Sequence, residues 1–375
     1  MTKRILIVSG DFVLTGGMDR ANYALADFLA RSGIQVELVA HRVSQELLEY
    51  PNVIHYRVPK PMNSYFLGSR LLANEGRRQA AKVLRGGGRV IVNGGNCAIA
   101  DVNWVHYLHI AFLPEVNSLF RRIKQIIERP IALRSEKRCL TNARLIIANS
   151  ELTKATIADR FGIANSKVKT VYYGTDNLAF FPPSESERKD LRGHLGWDNA
   201  PRVVFIGALG DRRKGFDTLS KAWSHLIRDE NWSAKLVVIG TGAEHKKWKA
   251  EWAGKDNRGS AEFLGFRTDV PELLRASDCL VSPTRYEAYG LGVHEALCCG
   301  LAVIVSKNAG VSECLPPECR ELTLVDPTDV DELISKLKAW FSNQRKYRLS
   351  GQQTQRNLSK RSWDDMAGEI LATIS

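Results

Sequence analysis

A doubly wound α/β fold in two domains is predicted by three features of this sequence. Short β-branched runs alternate with amphipathic helical patterns along the whole chain. The alternation stops once, in a polar stretch containing Pro182-Pro183, and then restarts. The length of 375 residues suits two domains of ordinary size, each with its own core.

Composition removes several classes. With 44% hydrophobic and 25% charged residues and no low-complexity tract, the chain reads as folded rather than disordered. No apolar run approaches the roughly 20 residues that span a bilayer. MTKRILIVSGDF enters a strand directly, without the apolar core and cleavage site of a secretory signal. Seven scattered cysteines without a C-x-x-C pair argue against a disulfide framework or a zinc site, so a reducing cytoplasm is expected. The net charge of +12 calls for acidic partners, either phosphorylated small molecules or anionic lipid headgroups. Nucleic acid is not expected, because no basic stripe interleaved with aromatics is present.

The first domain opens with the strand Arg4 to Ser9, a loop ending in Gly16-Gly17, a helix with Ala21, Ala24, Leu25 and Leu29 on one face, and the strand Ile34 to Ala40. A double glycine before a helix either admits a phosphate to the helix N-terminus or makes a plain tight turn. Strands at Asn52–Val58 and Arg89–Asn93 flank a helix around Ser69–Leu84. Val102 to His109 runs into a loop with two histidines, His106 and His109, near a strand end where ligands bind. Ser118 to Leu140 is a helical pattern mixing Arg121, Arg122, Lys124, Arg129, Arg134, Lys137 and Arg138 with Leu119, Ile123, Ile126 and Ile127. It suits either an anionic membrane surface or a solvated helix face, and Pro130 splits it or starts a second helix. Leu145 to Ala148 is a strand, Ser150 caps the following helix, and Val168 to Tyr172 leads to Gly174-Thr175-Asp176. From there to Gly196 the composition suggests the linker.

The second half begins with the strand Arg202 to Gly207 and a loop carrying Arg212, Arg213 and Lys214. Lys235 to Gly240 is the next strand, ending in Gly240-Thr241-Gly242, and Ala261–Leu264 precedes Phe266-Arg267. Residues 278–313 follow as strand, glycine loop, helix and strand, with Glu287 in the loop and Glu295 in the helix. Leu322 to Val325 is the last expected strand, and Asp329-Val330-Asp331 reads as a helix cap. Cations for a diphosphate, helix-start amides and two carboxylates for hydroxyls meet at one sheet edge. That set describes a nucleotide-sugar site.

The stretch SPTRYEAYGLGVHEALCCGLAVIVSKNAGVSE resembles the signature of glycosyltransferase family 4, retaining enzymes of the GT-B fold. Glu287 and Glu295 match its Glu-x7-Glu motif, Gly16-Gly17 its glycine loop, Tyr173-Gly174-Thr175-Asp176 its crossover and Lys214-Gly215 its diphosphate lysine. The resemblance implies two Rossmann-like domains facing each other across a cleft. The expected bounds are an acceptor domain at 1–175, a donor domain at 176–355, and a tail helix at 356–375 that packs back on the first.

The resemblance further implies that Glu295 binds the ribose, Glu287 the transferred sugar, and Lys214 the departing diphosphate. Amides of Gly17, Tyr289, Gly290 and Leu291 assist, Ala288 lies among them, and Gly240, Gly242, Phe266 and Arg267 flank the base. His109 or His106 serves at the reacting carbon. Many relatives carry arginine where this chain has Ala208, so Arg212 or Arg213 is expected to supply the second cation. The expected activity is metal-independent, retaining hexosyl transfer from a UDP-sugar, UDP-glucose first, to a saccharide or lipid-linked saccharide in the cytoplasm or at the inner membrane face. A sugar-nucleotide epimerase or hydrolase, or a nucleotide-sugar-binding protein, is the alternative. A nicotinamide dehydrogenase is not expected, because SGDFVLTGG lacks G-x-G-x-x-G.

Overall fold

The computed structural model describes residues 3–115, 119–255 and 259–375, with the side chains of 119–122 and 124 left out. The chain forms two compact units, Met1–Gly174 with Arg361–Ser375, and Thr175–Lys360.

Among the described residues, the first unit carries a seven-stranded sheet, all neighbours parallel. Its order is Val53–Arg57, Gln35–Ala40, Arg4–Val8, Arg89–Asn93, Val102–Val105, Leu145–Ala148 and Val168–Thr170. Ile5, Leu6, Ile7 and Val8 are all buried, which is why that strand reads as an unbroken apolar run rather than an alternating one. Strand order reverses between Arg4–Val8 and Arg89–Asn93, and ligands bind at the carboxyl ends beside such a reversal.

The tail contributes one helix to this unit, Trp363–Ile374, opened by a capping box between Ser362 and Asp365. It buries Met366, Ala367, Ile370 and Ile374. Gly174 is required here, since a Cβ on it would lie 2.1 Å from the Ser362 carbonyl oxygen. The sequence range 356–375 thus takes in the end of the helix Gln344–Leu358, a turn, and this helix.

The second unit holds a five-stranded parallel sheet ordered Ala261–Gly265, Lys235–Ile239, Arg202–Ile206, Cys279–Ser282 and Ala302–Val305. Trp223, Trp232, Trp248, Trp252 and Trp340 build its core with the strand side chains. Two expectations are corrected. The stretch read as a linker contains the helix Glu185–His194, with its own Ser184/Glu187 capping box. Arg188 and Arg192 of that helix pair with Asp278, at 2.5 and 3.2 Å, so its composition is polar because it docks through charge. Leu322–Val325 forms no strand; only Leu324 bridges, to Ser306.

The basic stretch forms one helix, Leu119–Asn142, carried through Pro130. The side chains of Arg121, Arg122 and Lys124 lie outside the described residues, whereas Arg134, Lys137 and Arg138 are exposed. Ile123, Ile126, Ile127 and Ile131 are also exposed. No helix among the described residues is long and apolar enough to cross a membrane.

Candidate active site

In the second unit, two loops are locked together by backbone contacts. Gly215 has φ 73° and would place a Cβ 1.9 Å from the Pro283 carbonyl oxygen, so only glycine allows this approach. The Arg285 N–H donates to the Arg213 carbonyl at 2.7 Å, and the Thr284 hydroxyl donates to the same oxygen at 2.9 Å. This register brings Arg213 Nη1 to 2.9 Å and Lys214 Nζ to 2.5 Å from Glu287 Oε2. Desolvation disfavours the Glu287 carboxylate, but Lys214 and Arg213 outweigh it and hold the carboxyl below its ordinary pKa.

The neighbouring arginines turn elsewhere. Arg212 faces Asp217 at 3.5 Å and Glu244 at 3.4 Å, and lies over the Trp248 ring. Arg285 forms a forked pair with Asp217, at 3.0 and 2.8 Å. Sequence spacing does not separate Arg212 from Arg213; the turn Arg212–Lys214 does, by pointing successive side chains about a third of a turn apart.

The glycine loop is zipped to the segment after Ala302–Val305. Glu287 N–H donates to Asn308 at 3.0 Å, and Glu287 accepts from Gly310 N–H at 3.0 Å through its carbonyl. Val311 N–H reaches the Tyr289 carbonyl at 2.7 Å. Gly290, at φ 109°, then opens the helix Leu291–Cys298. Ala288, Tyr289 and Glu295 are buried.

Sequence reasoning passed over His294. It is buried, its Nε2 meets the Thr175 hydroxyl, and its Nδ1 lies 2.7 Å from the Tyr289 hydroxyl. Its place one residue before Glu295 was the available signal.

Gly240 and Gly242 have a packing role. A Cβ on either would fall 2.2 Å from the Gly207 oxygen or 2.1 Å from the Leu209 oxygen, respectively. Ala208 is exposed between these two contacts. Phe266 is exposed at the end of its strand, and Arg267 pairs with Asp269.

In the first unit, Gly16 has φ 85° and caps the helix Gly17–Arg31. Asp19 stands in its first turn, with a pKa pushed up to about 6 by burial and then by the charge of Asp11. The two histidines part company. His106 is buried against Trp104, its Nδ1 lies 2.5 Å from the Tyr173 hydroxyl, and burial pushes its pKa down to about 3. His109, exposed as a residue, starts the turn His109–Ala111 and sets its ring edge-on to Tyr107. Desolvation and then Arg129 lower its pKa. A second residue absent from the sequence reading, Glu136, accepts the backbone N–H groups of His109 and Ile110. Among the described residues no group of three His, Cys, Asp or Glu side chains is placed to hold a metal ion.

Two family models match the chain: Glycosyltransferase Family 4 over residues 15–177, and Glycosyl transferases group 1 over residues 200–343. An uncharacterized glycosyltransferase of Methanocaldococcus jannaschii is 24% identical over 377 residues, 96% of this chain and 94% of that protein. Mannosylfructose-phosphate synthase of Agrobacterium fabrum is 24% identical over 242 residues, 61% of this chain; the match spans only 52% of that relative. Among solved structures, WaaG, a glycosyltransferase involved in lipopolysaccharide biosynthesis, aligns with a TM-score of 0.79 at 15% identity, over 99% of both chains. HepE of Anabaena in complex with UDP and glucose aligns at 0.71 and 18% identity, over 100% of this chain and 99% of that one. At such identities these structures show the fold, which is GT-B.

Proposed function

Because the chain belongs to glycosyltransferase family 4, we propose that it transfers a hexosyl group from a nucleotide-sugar to a saccharide, with retention at the sugar carbon and without a metal ion. A UDP-sugar, UDP-glucose first, is the proposed donor. The observation that carries this reading is the meeting of Arg213 and Lys214 on Glu287 Oε2, one turn before the helix that opens at Gly290. Departure of a nucleoside diphosphate concentrates negative charge on phosphate oxygens, and fixed cations stabilise it most where water is excluded. Lys214 and Arg213 would take the diphosphate. That would free Glu287 for the sugar hydroxyls, and buried Glu295 would take the ribose. HepE, which shares this fold, is recorded with UDP and glucose.

His109 is the proposed histidine at the reacting carbon. His106 is enclosed by Trp104 and Tyr173, and serves as packing. Asp19 and Gly16-Gly17 fall within the proposed acceptor domain.

A lipid-linked acceptor and a membrane-surface site of action have a specific observation behind them. Ile123, Ile126, Ile127 and Ile131 recur at helical spacing and are uncovered, beside exposed Arg134, Lys137 and Arg138. The stripe supports the membrane reading over a merely solvated face.

The test is a hydrolysis and transfer screen over UDP-, GDP- and ADP-sugars with anomeric analysis of the product. Turnover of a UDP-hexose with retention is expected. Binding without turnover of any donor would favour the binding-protein alternative.

A further inference from the structure

We propose that Glu136 is a positioning residue for His109, holding the turn His109–Ala111 through its ionised carboxylate. This rests on the transferase reading for its consequence, though not for its geometry. Glu136 is 0% exposed, on the helix Leu119–Asn142. His109 N–H donates to Oε1 at 2.8 Å and Ile110 N–H to Oε2 at 3.2 Å. Both N–H groups begin a short turn and have no partner within it, so the carboxylate supplies both acceptors at once.

The helix is itself seated at that point. The Ser135 hydroxyl donates to the Gly95 carbonyl at 2.8 Å. Gly95 has no Cβ to spare, as one would lie 3.3 Å from the Glu136 nitrogen. Gly95 follows the strand Arg89–Asn93, and Asn103, on the adjacent strand Val102–Val105, donates to the Gly94 carbonyl at 2.9 Å. The strand ends, the helix and the histidine turn therefore share one rigid register.

An uncompensated buried carboxylate is costly, and neutral side chains satisfy a turn more cheaply. The ionised form offers a full, charge-assisted acceptor to each N–H; protonation turns one oxygen into a hydroxyl, a weaker acceptor, and removes the charge from both bonds. Burial pushes the Glu136 pKa up to about 7, against the two N–H bonds and Arg129. What lowers it is the charge of Arg129 on its own helix and the backbone N–H groups of His109 and Ile110, while Cys139, a turn away, senses its charge. Proton uptake near neutrality should thus loosen the His109 backbone while leaving the imidazole neutral.

Two measurements test this. In protein selectively labelled with 15N-histidine, eight amide signals are expected, and His109→Gln identifies the relevant one. That amide should titrate with a midpoint near pH 7, and the titration should vanish in Glu136→Gln. An invariant His109 amide between pH 6 and 8 would overturn the proposal.

In the second measurement, Glu136→Gln should lower kcat about tenfold, leave KM for the donor within twofold, and remove an acidic limb near pH 7 from the kcat profile. Glu136→Asp should restore part of kcat. An unchanged kcat in a folded Glu136→Gln protein would also overturn it. Wild-type protein that transfers no sugar yet shows the amide titration would refute the transferase reading and leave the clamp standing.

Discussion

Arg213 Nη1 stands 2.9 Å from Glu287 Oε2, while the adjacent Arg212 turns to Asp217 and Glu244. One cation is aimed at the glycine loop and its neighbour is built into the loop's support. Arg213→Ala should therefore lower kcat/KM about a hundredfold, the scale of removing one transition-state donor. Arg212→Ala should change donor binding no more than threefold and show its effect in thermal stability. Steady-state kinetics and calorimetric UDP titration of both variants check the contrast; equal kinetic losses would contradict it.

Glu287 carries a pH signature. Its carboxyl is held below the ordinary value, so its ion pairs stabilise the folded state above pH 4.5, the unfolded value, and the gain fades as pH falls through the depressed folded value. The stability gap between wild type and Glu287→Gln should narrow as pH falls below 4.5 in chemical unfolding. In transfer assays at pH 7, Glu287→Ala should be inactive while still binding UDP.

Gly215→Ala should unfold earlier and bind UDP poorly. The new Cβ would meet the Pro283 carbonyl at 1.9 Å and the backbone would stay at φ 73°. Left-handed strain alone costs about 1–3 kcal/mol. Melting temperature and UDP affinity should fall together.

Asp278 receives Arg188 and Arg192 and caps the Arg202 N–H at 2.8 Å. Asp278→Ala would leave two largely buried guanidiniums facing each other, a loss of about 3 kcal/mol. Urea unfolding should show that loss with the Michaelis constant for the donor unchanged in folded protein.

If the Leu119–Asn142 helix meets anionic membrane, sedimentation with phosphatidylglycerol vesicles should fall as salt rises, and Ile126→Ser/Ile127→Ser should weaken binding even at low salt. No binding at low salt would leave that face merely solvated.

The alternation of apolar runs was enough to read the strands of both sheets, with Leu322–Val325 counted as one too many, because parallel strands covered on both faces need no polar partner residues. Glu287, Lys214 and the glycines stood out as residue types in loops that follow strands, and Glu295 as a carboxylate in the helix after one. Gly240 and Gly242 were legible as glycines, but the packing demand on them comes from the Gly207 and Leu209 carbonyls of another loop. The helix Glu185–His194 was mistaken for linker because its partner, Asp278, lies some ninety residues on.

By itself, then, the sequence determined the two-unit α/β architecture and marked Glu287, Glu295 and Lys214 as candidate donor-binding residues, since both rest on local pattern and residue type. Tertiary structure alone decided that Arg213 rather than Arg212 meets Glu287, that His106 is packed while His109 is exposed, and that Glu136 holds the His109 turn. Each of these depends on which side chains long-range packing brings within about 3 Å, a distance that no spacing along the chain encodes.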